Sequence, residues 1–334
     1  MLEALKSKFF SKEKNIVNVQ SLLNKMYSSF QDDVGFRYPD QETKGKQYQY
    51  IDTVTRKYLK KNDNYRSSEL SFNALRSWYL DNAYYELLEQ KNKKKALEYF
   101  TCSASYAFMA LQVNFLSSQC HHPFRVHEYS YHLVSVYMSQ ALLCGWEKEY
   151  LDIACFLIES IRYKDKSKDL FVEEHKGIYL DHKEVSSSVW FLSNLYCDAY
   201  NHERVFEELN EYSYFPYNDI LKKWDIVDTI EIDKLTYILS EHHLEQTKEL
   251  ANYEYSNPNY WLFPYEILVW LKLRELKGLK NPKKFSHPLM NTPIAKIFLD
   301  LKEPLPKTKD LPYAKKLLTK LKEKCPDIEI PDWL

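Results

Sequence analysis

The chain has 334 residues, 45% of them apolar, with 46 Lys and Arg against 47 Asp and Glu for a net charge of −1. It holds only 5 Gly but 28 Tyr and 7 Trp. So few glycines argue against a β-rich fold with many tight hairpins, and neither GxGxxG nor GxxxxGK[ST] occurs, so no phosphate-cradling loop is expected.

The first twenty residues, "MLEALKSKFFSKEKNIVNVQ", alternate charge and lack a long apolar run, so they do not read as a signal peptide. No run of about 18 apolar residues occurs further on, so no membrane span is expected. Helical periodicity then dominates. Helices are expected near 16–42, 47–61, 67–91, 92–118, 127–144 and 147–163. In "YHLVSVYMSQALLCG", Leu133, Tyr137 and Ala141 share a face with Val134, Met138 and Leu142 beside them, and Gly145 is placed to stop the helix. The polar stretch 164–185 reads as a linker. Beyond it, helices are expected near 186–211, 216–225, 231–254, 259–277 and 311–324. No segment reads as a strand. The expected fold is all-α, an irregular helical bundle with no significant β-sheet. Its two domains are 1–163 and 186–334. Six cysteines without CxxC spacing and without a leader point to reduced thiols and a cytoplasmic location.

Charge is balanced overall but not locally. Residues 169–233 carry 15 Asp and Glu against 5 Lys and Arg, a net of −10. Residues 1–100 carry a net of +5, and residues 272–334 a net of +7. An acidic block between basic ends repels nucleic acid and attracts basic proteins.

Constellations with catalytic chemistry are few. His121-His122 and His242-His243 are adjacent pairs, and neighbours on a helix point about 100° apart, a poor arrangement for holding one ion. With no HExxH and no finger spacing, no metal and no cofactor are expected. Arg125 and His132 in "RVHEYSYH" allow a second reading, a helical HEPN-like ribonuclease in which His132 acts as base and Arg125 steadies phosphate charge. In the bland alternative both are helix-surface residues and the protein is a generic helical scaffold or regulator. GxSxG is absent, and pairs such as Glu173-Glu174 and Glu207-Glu208 read as solvated faces.

The stretch "SNPNYWLFPYEILVWLKLRELKGL", from Ser256 to Leu279, gathers aromatic rings into one segment. Phe263, Ile267, Trp270 and Leu271 form an apolar stripe, Glu266 lies one turn before Trp270, and Gly278 and Pro282 stop the run. With "LKKWDIVDTIEIDKLTYILSEHH" before it and "FSHPLMNTPIAKIF" after it, the region from about Leu221 to Phe298 resembles the C-terminal domain of PoNi-type immunity proteins. The matching positions are Trp224, Tyr260, Trp261, Glu266, His287 and Pro288. The chain departs from that family's pattern where Ile267, Val269 and Trp270 replace small residues after the Glu. The resemblance implies a non-catalytic protein that neutralises a cognate nuclease toxin in competition between bacteria. Binding would occlude the toxin's active site or its substrate surface.

An inhibitor of a phosphate-binding enzyme gains from carboxylates that meet the enzyme's cationic surface, with a few aromatic anchors for affinity. The acidic block supplies both types. The candidate interface is Glu173, Glu174, Asp181, Glu184, Glu203, Glu207, Glu208 and Glu211, with Tyr212, Tyr214 and Phe215 as anchors. Direct binding of nucleic acid or membrane is not expected.

Overall fold

The computed structural model describes residues 19–32, 66–121, 131–167, 186–205, 216–247, 255 and 258–308, and five positions beyond, 311, 315, 319, 322 and 323. Ten α-helices and two 3-10 turns make up the described residues, with no strand among them. The fold is all-α.

Helix α1 is Val19–Asp32, and it buries Leu22 and Met26. Helices α2 (Arg66–Leu88) and α3 (Lys93–His121) form an antiparallel hairpin. Their register is legible in four pairs that climb one helix while descending the other. Lys95 meets Glu86 at 2.6 Å, Tyr79 lies 5.9 Å from the ring of Tyr99, Ser103 donates to the carbonyl of Arg76, and Phe72 lies 6.1 Å from Tyr106. Asn92 starts α3, its side chain accepting from the amide of Lys95 at 3.2 Å.

Helix α4 (Tyr131–Leu143) ends in a Schellman turn. Trp146 donates to the carbonyl of Ala141 at 3.0 Å and Gly145 to that of Leu142 at 2.8 Å. Gly145 has φ +76°, and a Cβ there would come within 2.9 Å of the Pro304 backbone. Both conformation and space therefore require glycine. The segment 301–308 is strapped over this turn. Leu305 donates to the carbonyl of Cys144, Trp146 donates back to the carbonyl of Leu305, and Lys307 pairs with Glu149.

Helix α5 is Glu147–Ser167, with Glu147 and Glu149 in its first turn, where the helix dipole favours them. Helix α6 (Ser187–Tyr200) stops at Asn201, which takes φ +56° and ends the helix well short of the expected residue 211. Short α7 (Tyr217–Leu221) precedes α8 (Thr229–Glu245), whose first turn is capped by Asp228 accepting from the amide of Ile230 at 2.9 Å.

The expected helix 259–277 is two elements. Pro258–Tyr260 is a 3-10 turn, and α9 runs only from Tyr265 to Leu276. Proline disfavours helical backbone at the residue before it, so Pro264 becomes the cap rather than an interior residue. Gly278, at φ +74°, closes α9 in a second Schellman turn. One helix was not expected at all. Helix α10 (Pro293–Leu299) starts at Thr292, which caps the amide of Ala295, with Pro293 in its first turn, so "NTP" opens a helix rather than ending one.

Helix α9 has no outer stripe over most of its length. Tyr265 through Leu271, then Leu273 and Arg274, are all buried. A helix that is apolar nearly all round belongs in the interior, and α9 packs against α4, α6, α8 and α10. Each apolar side chain it buries contributes roughly 1.5–3 kcal/mol. Residues from both sides of the 164–185 stretch join one hydrophobic cluster, as where Phe100 of α3 meets Phe298 of α10 at 4.5 Å.

Candidate binding surface and its buried framework

Four of the six residues on which the resemblance rests take part in polar joints, in three separate places. His243 and Glu266 are both fully buried, with His243 Nδ1 at 2.8 Å from Glu266 Oε1. The other ring nitrogen, Nε2, lies 2.9 Å from the carbonyl of Tyr260. A carbonyl only accepts, so Nε2 carries a proton. Nδ1 then either accepts from a protonated Glu266 or donates to its carboxylate. In both cases the pair has no net charge, which is how an apolar interior accommodates two ionisable groups. The ring of His243 stacks on Tyr255 at 4.3 Å. His242, next along α8, turns instead towards Tyr217, with ring centres 5.3 Å apart. The two adjacent histidines serve different contacts. Among the described residues no group of three His, Cys, Asp or Glu is gathered as a metal site.

His287 caps the second 3-10 turn, Pro288–Asn291. Its Nδ1 accepts from the amide of Leu289 at 3.1 Å, and its Nε2 donates to Glu241 at 2.9 Å. Those two bonds fix the neutral ring with its proton on Nε2. Pro288 itself is exposed, Trp261 is buried, and Trp224 is half-buried with its carbonyl at the centre of the next joint.

That joint is built by a residue the sequence did not single out. Arg274 is fully buried near the end of α9. Its guanidinium donates to the carbonyls of Trp224 at 2.5 Å, Ile226 at 2.6 Å and Lys280 at 3.1 Å, and to Asn281 Oδ1 at 3.0 Å. Trp270 Nε1 donates to the same Trp224 carbonyl at 3.0 Å. Burial pulls the Arg274 guanidinium below its ordinary value, opposed by Asp225. The clamp fixes residues 224–226 against 280–281. The one signal for it in the sequence was an Arg four residues after Trp270 on a helix otherwise apolar on that side.

Of the candidate interface, Glu203 is described and lies exposed in the turn after α6. Glu173, Glu174, Asp181, Glu184, Glu207, Glu208, Glu211, Tyr212, Tyr214 and Phe215 lie outside the described residues, as does Arg125. Several acids of the block that are described have partners within the chain. Asp198 takes both Nε and Nη2 of Arg204, at 2.7 and 2.6 Å. Glu231 holds Lys223 at 3.0 Å, and Asp233 accepts from the amide of Ser286 at 2.9 Å. With Asp228 acting as a cap, these carboxylates organise the protein's own surface.

His132, the base of the ribonuclease reading, sits among aromatic rings. Its centre is 5.3 Å from Tyr260, 6.2 Å from Tyr265 and 6.4 Å from Tyr255, and its Nδ1 lies 3.4 Å from the Tyr265 hydroxyl. The four described cysteines, Cys102, Cys144, Cys155 and Cys197, are free thiols, and burial pushes Cys102 up to about 11 and Cys144 well above its ordinary value. No described helix is long and apolar enough to cross a membrane.

The apolar surface is sparse but localised. Val227 is 77% exposed and Ile230 66% exposed, and they stand three residues apart on either side of the Asp228 cap. Leu276 is the third large apolar side chain among the described residues that is exposed. No protein-family model matches the sequence, and neither a characterised protein nor a solved structure is significantly similar to it.

Proposed function

We propose that the chain is an immunity protein of the PoNi kind, which binds a cognate nuclease toxin and keeps DNA from its active site. The observation that supports this reading is that four of the residues on which the resemblance rests sit at buried or half-buried polar joints of the C-terminal helices. Trp224 supplies the carbonyl that gathers Arg274 and Trp270, Tyr260 and Glu266 hold the same histidine, and His287 caps the turn before α10. Tyr260 and Glu266 join through the shared His243, while Trp224 and His287 each anchor a separate joint. The mechanism is stoichiometric capture. The acidic block meets the cationic groove that any nuclease presents to phosphate, and complementary charge speeds the encounter. In such a role the protein acts in the cytoplasm of the cell it protects, as an antitoxin without cofactors.

The ribonuclease alternative asks His132 to face substrate as a base, and its ring is packed against Tyr255, Tyr260 and Tyr265 instead. The test begins with the open reading frame beside this gene. Its product, made catalytically inactive, should co-purify with this chain at a fixed ratio, and the active form should kill cells that lack the chain and spare cells that express it. Absence of both complex and protection would end the proposal. Changing Glu207, Glu208 and Glu211 to Lys should weaken the complex by tenfold or more and flatten its salt dependence. Unchanged affinity would remove that patch from the interface.

A further inference from the structure

We infer that the corner formed by the Trp224–Ile230 turn and the 277–284 turn is a second docking surface, and that it takes an acidic surface of the toxin bearing an apolar pocket. This rests on the reading of the chain as a toxin-binding protein and adds to it a location and a partner chemistry.

The two turns are one structural unit. A single nitrogen of Arg274, Nη2, donates to the carbonyls of both Ile226 and Lys280. The amide of Ser286 reaches Asp233, one turn beyond Ile230 on α8. From this fixed base Val227 and Ile230 project as the two most exposed large apolar side chains among the described residues. Apolar side chains on a frayed loop are commonplace. Here the backbone beneath them is held by a buried guanidinium, an indole and a helix cap. Anchors on such a rigid base lose little freedom on binding.

Charge selects the occupant. Asp228 caps α8, Glu231 pairs with Lys223 and Asp233 holds the amide of Ser286, while the charge of exposed Asp225 acts on Arg274. The lysines are not so balanced. Lys280, Lys283 and Lys284 are exposed, and none is joined to a carboxylate among the described residues. The two turns carry Lys277, Lys280, Lys283 and Lys284 against Asp225 and Asp228, a net of +2, so an apolar pair in this setting repels the cationic groove of a nuclease. It fits a patch where carboxylates rim an apolar depression. The candidate carboxylates between Glu173 and Glu211 and this corner would therefore meet different parts of the same toxin. Two contacts of opposite sign fix its orientation, and the corner grips outside the phosphate-binding groove.

The experiment measures binding of the inactivated neighbouring-gene nuclease by calorimetry to the full chain and to two variants. One is the double change Val227→Asp and Ile230→Asp, the other the triple change of Lys280, Lys283 and Lys284 to Glu. All five side chains are exposed, and circular dichroism checks that each variant stays helical. The expected results are at least a hundredfold weaker binding for the double variant, and at least tenfold for the triple variant with a smaller salt dependence. Wild-type affinity in both variants overturns the corner while leaving the proposed function standing. Failure of the wild-type chain to bind the nuclease overturns both. Sedimentation of the chain alone supplies the remaining outcome, because a concentration-dependent dimer that the double variant abolishes would assign the corner to a second copy and overturn the inference.

Discussion

Arg274 and Arg76 are both buried, and their surroundings differ. Arg274, at the end of α9, faces three backbone carbonyls and an amide oxygen. Arg76, midway along α2, donates from Nη2 to Ser77 Oγ at 3.2 Å, and the Tyr260 side chain is its other hydrogen-bonding neighbour. Its guanidinium lies 5.3 Å from the ring of Tyr137, with Tyr260 and Asp81 nearby. Burial alone would pull Arg76 down, but Tyr260, Tyr137 and Asp81 outweigh it and hold it above its ordinary value. Arg274 is held below its ordinary value by burial. One arginine is a staple that satisfies the carbonyls of Ile226 and Lys280 and shares that of Trp224 with Trp270. The other is a cation tolerated among rings and hydroxyls, and no backbone depends on it.

The comparison predicts unequal costs of removal. Arg274→Met should be the most damaging change. Trp224 keeps one donor, Trp270, but Ile226, Lys280 and Asn281 each lose the one supplied by the guanidinium. A stranded buried acceptor costs on the order of 1–3 kcal/mol, so denaturant unfolding should show a loss of at least about 3 kcal/mol. Hydrogen exchange should speed up at 224–230 before it does elsewhere, because that turn loses its clamp. A uniform increase over the whole chain would mean that Arg274 is only one more core residue.

The next largest effect belongs to the His243–Glu266 pair, the neutral counterpart of the clamp. Glu266→Ala leaves His243 Nδ1 without its partner and opens a cavity, a loss of roughly 2–4 kcal/mol. Glu266→Gln is the informative change. If the native pair is a protonated Glu266 donating to Nδ1, the glutamine NH2 takes over that role and the cost stays near 1 kcal/mol. If the pair is an imidazolium and a carboxylate, glutamine leaves a buried positive ring and the cost rises to about 3–5 kcal/mol. The two substitutions measured together decide which arrangement the interior holds.

The contrast between the two arginines was not visible in the chain, and the reasons are physical. Helix class and most boundaries follow local rules. The start of α5, the stop at Gly145 and the stop at Gly278 were each carried by periodicity and by glycine's access to positive φ. The missed boundaries turn on one residue's backbone choice, Asn201 turning left-handed and Thr292-Pro293 opening α10. Glu266 was read as a framework residue one turn before Trp270, yet its partner lies 23 positions away on another helix. Arg274 gave less warning, because its acceptors are carbonyls, which every residue has. Nor does exposure follow from residue type. Val227 and Ile230 have the same apolar character as residues that fill the core, and only the tertiary fold leaves them outside.

The smallest effect should come from Arg76→Met, and it tests the comparison most directly. Methionine has a similar length and can fill the space beside Tyr137. Replacing a buried ion by an apolar side chain of like volume is often neutral or stabilising. No carbonyl loses a donor, since the guanidinium's partners are the hydroxyls of Ser77 and Tyr260, which can turn to other partners. The hydrogen bonds around the site persist without the guanidinium: Ser103 still donates to the backbone carbonyl of residue 76, and Tyr137 still donates to Asn73. Unfolding should therefore shift by about 1 kcal/mol or less in either direction. A loss as large as that of Arg274→Met would mean that the tyrosines and Asp81 around Arg76 rely on its charge. The division between the staple and the tolerated cation would then fail.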